Sequence, residues 1–121
     1  MQYKINVTKS FSAAHALREY KGKCENLHGH NWKVRACVLG KKLKNGILID
    51  FKDVKHTLNE ILNELDHNDL NTTSVFKQIN PTAENIASYI FDKLSNKIPK
   101  GLKVFEIEVW ESENSSAIVN K

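Results

Sequence analysis

The stretch His28-Gly29-His30-Asn31-Trp32-Lys33-Val34-Arg35-Ala36-Cys37-Val38 sorts its side chains into two alternating sets. Trp32, Val34, Ala36 and Val38 share a phase with His28 and His30, and Asn31, Lys33, Arg35 and Cys37 occupy the other. That period of two predicts a half-buried strand from His30 to Leu39. Residues i and i+2 of an extended backbone project to the same side, so His28 and His30 can converge on one metal ion. Gly29 between them adds no side chain to crowd the backbone. Just upstream stands Cys24, followed by Glu25, Asn26 and Leu27, which brings a thiol close to the two imidazoles.

A second alternating run opens the chain. Tyr3, Ile5 and Val7 are apolar against Gln2, Lys4, Asn6 and Thr8. If the register continues, Phe11, Ala13 and His15 share the apolar phase, and His15 lies at the inner end of that strand. Three neutral histidines with one open position are the ligand set of a catalytic zinc site. Zinc is the expected metal, because imidazole suits it. Cys24 is then either a fourth ligand that closes the site or a reactive thiol beside an open one. Lys23 and a nearby dication would both favour its thiolate. The spacing is compatible with either role.

Beyond the histidine strand, Gly40 to Gly46 reads as a basic connecting loop and Ile47 to Ile49 as a short buried extension. Asp50 can cap a helix whose apolar face is Val54, Leu58, Ile61, Leu62 and Leu65. The polar run Asp66-His67-Asn68-Asp69 favours a helix end. A second helix is expected after Asn80-Pro81, with Thr82 as cap, Glu84 complementing the dipole, and Ile86, Ala87, Ile90, Phe91 and Leu94 as its buried face. A third strand over Leu102 to Glu111 is expected to bury Phe105, Ile107 and Val109, and Ala117 to Val119 can form a fourth. The order ββααββ predicts an α+β fold, a four-stranded antiparallel sheet with both helices on one face. Its open edges make edge-to-edge assembly of copies plausible.

The 121 residues suffice for one domain, residues 1–121, with a single core. A formal charge of +4 arises partly from Lys41, Lys42 and Lys44, which no aromatic residues interleave, so nucleic-acid binding is not expected and an anionic small substrate fits equally well. Two cysteines make no disulfide framework, and neither a signal core nor a membrane-spanning apolar run is evident. A cytoplasmic protein with reduced thiols and no membrane partner is expected.

Three further residues carry potential chemistry. Asp66-His67 is either a polar helix end or an acid/base pair in which the carboxylate orients the imidazole. Glu111 follows Trp110 in the phase of the buried strand residues, where a carboxylate can accept two parallel hydrogen bonds from a flat heterocycle. His56, mid-helix among polar neighbours, reads as a surface residue.

Taken in order, Phe11-Ser-Ala-Ala-His15, Cys24-x-x-x-His28-Gly-His30, Leu65-Asp66-His67-Asn-Asp-Leu70-Asn71, Asn80-Pro-Thr-Ala-Glu84-Asn85 and Glu111-Ser112 resemble the 6-pyruvoyl-tetrahydropterin synthase family over nearly the whole length. Cysteine four residues before His28 is the spacing of its bacterial branch, 6-carboxy-5,6,7,8-tetrahydropterin synthase of queuosine biosynthesis. The resemblance implies the tunnelling fold (T-fold), whose protomers join their strands into an oligomeric barrel, a trimer or a hexamer built on it, with active sites between subunits. It implies zinc on His15, His28 and His30, a catalytic thiol at Cys24, an acid/base pair at Asp66 and His67, and a pterin ring held by Glu111. The implied reaction converts 7,8-dihydroneopterin triphosphate to 6-carboxytetrahydropterin, acetaldehyde and triphosphate. The rival readings are the pyruvoyl-forming activity, which stops after triphosphate elimination, and a non-catalytic module in which Cys24 closes a structural zinc site. By charge alone, Arg18, Lys21 and Lys23 are candidates for the triphosphate.

Overall fold

The computed structural model describes residues 1–22 and 25–121. Strands β1 (Tyr3–His15) and β2 (His28–Gly40) form a long antiparallel pair in which His15 faces His28 and Ala13 faces His30. The alternation read from the sequence is the alternation in space: Val7, Phe11, Ala13 and His15 of β1 and Trp32, Val34, Ala36 and Val38 of β2 are all buried. Two helices cover this face, α1 (Phe51–Asn63) and α2 (Ala83–Ser95). Each starts where a side chain caps it, Asp50 accepting from the Lys52 N–H and Thr82 from the Asn85 N–H. Strands β4 (Lys103–Ser112) and β5 (Ser115–Asn120) complete the layer.

The α+β architecture is as expected, but among the described residues the sheet has five strands rather than four, with β3 (Asn68–Asp69) at one edge, in the order β3-β1-β2-β4-β5. This additional two-residue strand runs parallel to β1 opposite Ala13 and Ala14. A polar run with no apolar phase carries no strand signal, so only pairing with β1 reveals it. Ile47 also departs from expectation. It is exposed, and a single bridge to Lys44 closes a tight turn there instead of a buried extension.

In β4 a bulge changes which side chain is buried. Cys37 pairs with Glu106 but Val38 with Val104, so Phe105 is the extra residue. Val104 enters the core where the alternation predicted Phe105, which lies half-buried with the Lys4 ammonium 3.7 Å from its ring centre. The opposite face of the sheet is polar. There Arg35 donates to Glu106 and Glu108, and these bonds hold its guanidinium more firmly charged than usual despite partial burial.

Trp32 connects core and site. It is fully buried, stacks on Phe11 with ring centres 6.1 Å apart, and donates its indole N–H to the Ala13 carbonyl at 3.2 Å. Its ring also packs edge-to-face with His15 and His30, at 4.9 and 5.3 Å. The histidines therefore sit where the apolar core ends.

Candidate active site

The β1–β2 register brings His15, His28 and His30 together, and their ring centres lie 4.8 to 5.1 Å apart. One ligand atom from each falls within 4.8 Å of the other two, and metal–nitrogen bonds of about 2.1 Å would draw them closer. The ring of His15 is buried, that of His30 is partly buried and that of His28 is exposed. The His15 Nδ1 lies 2.7 Å from the Pro81 carbonyl and the His28 Nδ1 2.8 Å from that of Asn26. A carbonyl only accepts, so in both rings Nδ1 carries the proton and Nε2 keeps its lone pair for a metal. Among the described residues the buried Nε2 atoms of His15 and His30 have no hydrogen-bond partner. Buried polar atoms are normally satisfied, so these two nitrogens are compatible with ligation of a metal ion. Burial also lowers the pKa of His30, opposed by Glu111 and aided by the other two histidines, which favours the neutral, ligating form.

Glu111 joins this cluster. A second bulge pairs Trp110 with Ser116 and Ser112 with Ser115, leaving Glu111 as the unpaired residue. Its carboxylate oxygens lie 3.7 Å from the Nε2 atoms of both His15 and His30. The same carboxylate borders a pocket of about 290 Å³ at the start of α2, lined also by Thr82, Glu84 and Ser115. Of these, the sequence reading assigned Thr82 and Glu84 only to helix capping; their place beside Glu111 depends on how α2 docks against β4 and β5.

Asp66 and His67 do pair, the His67 Nδ1 lying 2.9 Å from the Asp66 Oδ2. The pair grips β1: the Ser12 N–H donates to the Asp66 Oδ1 at 2.8 Å, and the His67 N–H donates to the Ser12 carbonyl at 2.6 Å. His67 adopts the left-handed conformation, φ 58°, and its side chain is 82% exposed. Its ring is therefore solvent-exposed at the β3 edge, and His67 lines an open pocket of about 470 Å³ together with His30, Asn31 and Asp69. The Ser12 N–H first, then His67, hold the Asp66 carboxyl below the usual carboxylate range against partial burial. A depressed pKa stabilises the fold above the unfolded value of about 3.9, and that contribution is lost as pH falls through the folded value. Asp66→Asn is therefore expected to flatten the acid limb of stability. Urea midpoints measured from pH 7 to pH 3 check this, and equal losses in variant and parent would contradict it.

The chain just after His15 is fastened by two asparagines. Asn71 exchanges hydrogen bonds with the N–H and carbonyl of Ala16, each 2.8 Å, and Asn80 does the same for Arg18 at 2.8 and 3.1 Å. Arg18 is not free for a phosphate, because its guanidinium donates to the carbonyls of Asn71, Phe76 and Ile79. Arg18→Ala is expected to cost about 2 kcal/mol of stability, measured by urea denaturation, by leaving these acceptors without a charged donor. Lys23 and Cys24 lie outside the described residues. Among the described residues, no helix is long and apolar enough to cross a membrane.

Residues 4–121 match the family model described as 6-pyruvoyl tetrahydropterin synthase. The chain belongs to this family. A 6-carboxy-5,6,7,8-tetrahydropterin synthase from Synechocystis is 39% identical, over 89% of this chain and 85% of that protein. A dihydroneopterin monophosphate aldolase from Pyrococcus furiosus is 34% identical, over 92% of this chain and 91% of its own length. The solved structure of Caenorhabditis elegans 6-pyruvoyl tetrahydropterin synthase superposes with a TM-score of 0.87 at 26% identity, covering all of this chain and 96% of the other. The fold is thus the T-fold of that family, and its relatives carry the names of three different pterin activities.

Proposed function

We propose that the protein is a zinc-dependent 6-carboxy-5,6,7,8-tetrahydropterin synthase, converting 7,8-dihydroneopterin triphosphate and one water to 6-carboxytetrahydropterin, acetaldehyde and triphosphate in queuosine biosynthesis. The observation that carries this reading is the pair of orphaned Nε2 atoms of His15 and His30, next to the Glu111 carboxylate and the pocket it borders. Cysteine four residues before His28 and the name of the Synechocystis relative support the carboxy product.

In this reading His15, His28 and His30 hold the metal. A bound dication would supply Lewis acidity, acidifying C–H protons beside the side-chain hydroxyls it ligates. Glu111 accepts the adjacent N–H donors of the pterin ring and so sets which carbon faces the triad. The Cys24 thiolate takes a proton from that carbon. Asp66 keeps His67 oriented, so that the pair can move protons on the other side of the side chain. Since the His67 ring faces outward at a sheet edge, the dyad is assigned to the site of a neighbouring copy in a trimer-based cytoplasmic homo-oligomer.

Incubation of purified, metal-loaded protein with 7,8-dihydroneopterin triphosphate, with chromatography of the pterin and an aldehyde assay, tests the proposal. Equimolar acetaldehyde and 6-carboxytetrahydropterin are expected. Turnover without acetaldehyde would assign the pyruvoyl-forming activity instead. A hydroxymethyl pterin with a phosphorylated two-carbon aldehyde would indicate simple aldol cleavage, the class named for the Pyrococcus relative.

A further inference from the structure

A cavity of about 660 Å³ lies at the other end of the sheet from the histidines. Gln2 and Gly40 line it, and Gly40 pairs with Tyr3 at the start of β1, whereas His15 ends that strand. Thirteen residues of strand put on the order of 40 Å between the two places. One small substrate cannot reach both.

The floor is apolar, made by the half-buried side chains of Leu39, Leu48, Ile49 and Leu102. Gly40 makes this floor possible. A Cβ there would come within 2.6 Å of the Leu48 Cδ1 and 2.7 Å of the Leu102 Cδ2, so only a residue without one lets both leucines close over the strand end. The rim carries Lys41 and Lys42, just after β2, and Lys100 and Lys103, around the start of β4, and no carboxylate lines the cavity. Among the described residues none of these four lysines enters an ion pair.

A lysine-rich turn alone is ordinary solvated surface, and an apolar hollow alone would take a neutral molecule. Four uncompensated ammonium groups around a concave apolar floor select for both properties at once. The volume lies within the range of small-molecule sites, and no aromatic residue lines it as a base-stacking platform for nucleic acid would require. We infer that this cleft binds a small amphipathic anion, an aromatic or branched apolar body bearing a phosphate or carboxylate. The apolar body lies on Leu48 and Leu102, and the anionic group meets the lysines of the rim.

The probe is 1-naphthyl phosphate, titrated calorimetrically into the full-length, metal-loaded, assembled protein. One saturable site per chain is expected, weakened at least tenfold by Lys42→Glu with Lys100→Glu and unchanged by Lys52→Glu with Lys55→Glu on the exposed face of α1. Neutral 1-naphthol and inorganic phosphate alone should each bind at least tenfold more weakly. Binding should persist in His28→Ala, which keeps this result independent of the proposed activity, and the rim variant should retain full turnover. Absence of saturable binding, indifference to the rim variant, or displacement of the probe by the pterin substrate would each overturn the inference. So would affinity for phosphatidylserine vesicles without affinity for the free phosphate, which would make the cleft a membrane contact.

Discussion

Replacing His28 by alanine is expected to abolish stoichiometric metal binding and to lower turnover by a factor on the order of 10³ or more, with the fold retained. His28 is the exposed member of the triad, so its removal opens no cavity in the core. Its contacts are the Nδ1 bond to the Asn26 carbonyl and the edges of the other two rings. Two histidines are too few for the three protein ligands typical of catalytic zinc, and the lost Lewis acid is worth several kcal/mol of barrier, roughly tenfold in rate for each 1.36 kcal/mol. Metal per chain by elemental analysis, circular dichroism and a turnover assay measure the three quantities together. Wild-type metal content in the variant would remove the triad from the metal site. His15→Ala is a poorer probe, since that buried ring also satisfies the Pro81 carbonyl and packs on Trp32.

Cys24→Ala should separate catalysis from metal binding. If the thiol is the base, the variant keeps its metal and its melting temperature, and turnover falls by about 10² to 10⁴, the usual contribution of a positioned proton-transfer group. Glu25, its neighbour, is pinned next to the triad: the Glu25 N–H donates to the Leu17 carbonyl at 2.9 Å, and the Glu25 Oε1 accepts from the Leu17 N–H at 3.1 Å. The residue following Cys24 is thereby tied two positions past His15. Loss of metal together with unfolding would instead make Cys24 a structural ligand and end the proposed mechanism. The two substitutions predict opposite metal contents, so one elemental analysis distinguishes a ligand from a base.

Much of the histidine cluster was legible because it depends on local periodicity. The i, i+2 spacing of His28 and His30 and the continuous phase from Tyr3 to His15 are properties of extended backbone, whatever the partner strand. Both helices were legible for a similar reason, since Asp50 and Thr82 cap them through bonds to residues two and three positions away. Asp66-His67 was half legible. The pairing is local, but which way the ring faces depends on Ser12, more than fifty residues earlier in the chain.

What the sequence determined by itself is therefore the four long strands and the two helices, the side of β1 and β2 that carries the histidines, and the presence of Cys24 four residues before His28. Tertiary structure decided the rest. Bulges in β4 put Val104 rather than Phe105 in the core and leave Glu111 unpaired against His15 and His30. Docking of the connecting segments converts Arg18, Asn71 and Asn80 from apparent substrate or loop residues into clasps on the chain after His15. Alternation is a short-range property of the backbone, whereas register shifts and side-chain bonds to distant carbonyls are set by packing summed over the whole domain, which no single segment of sequence encodes.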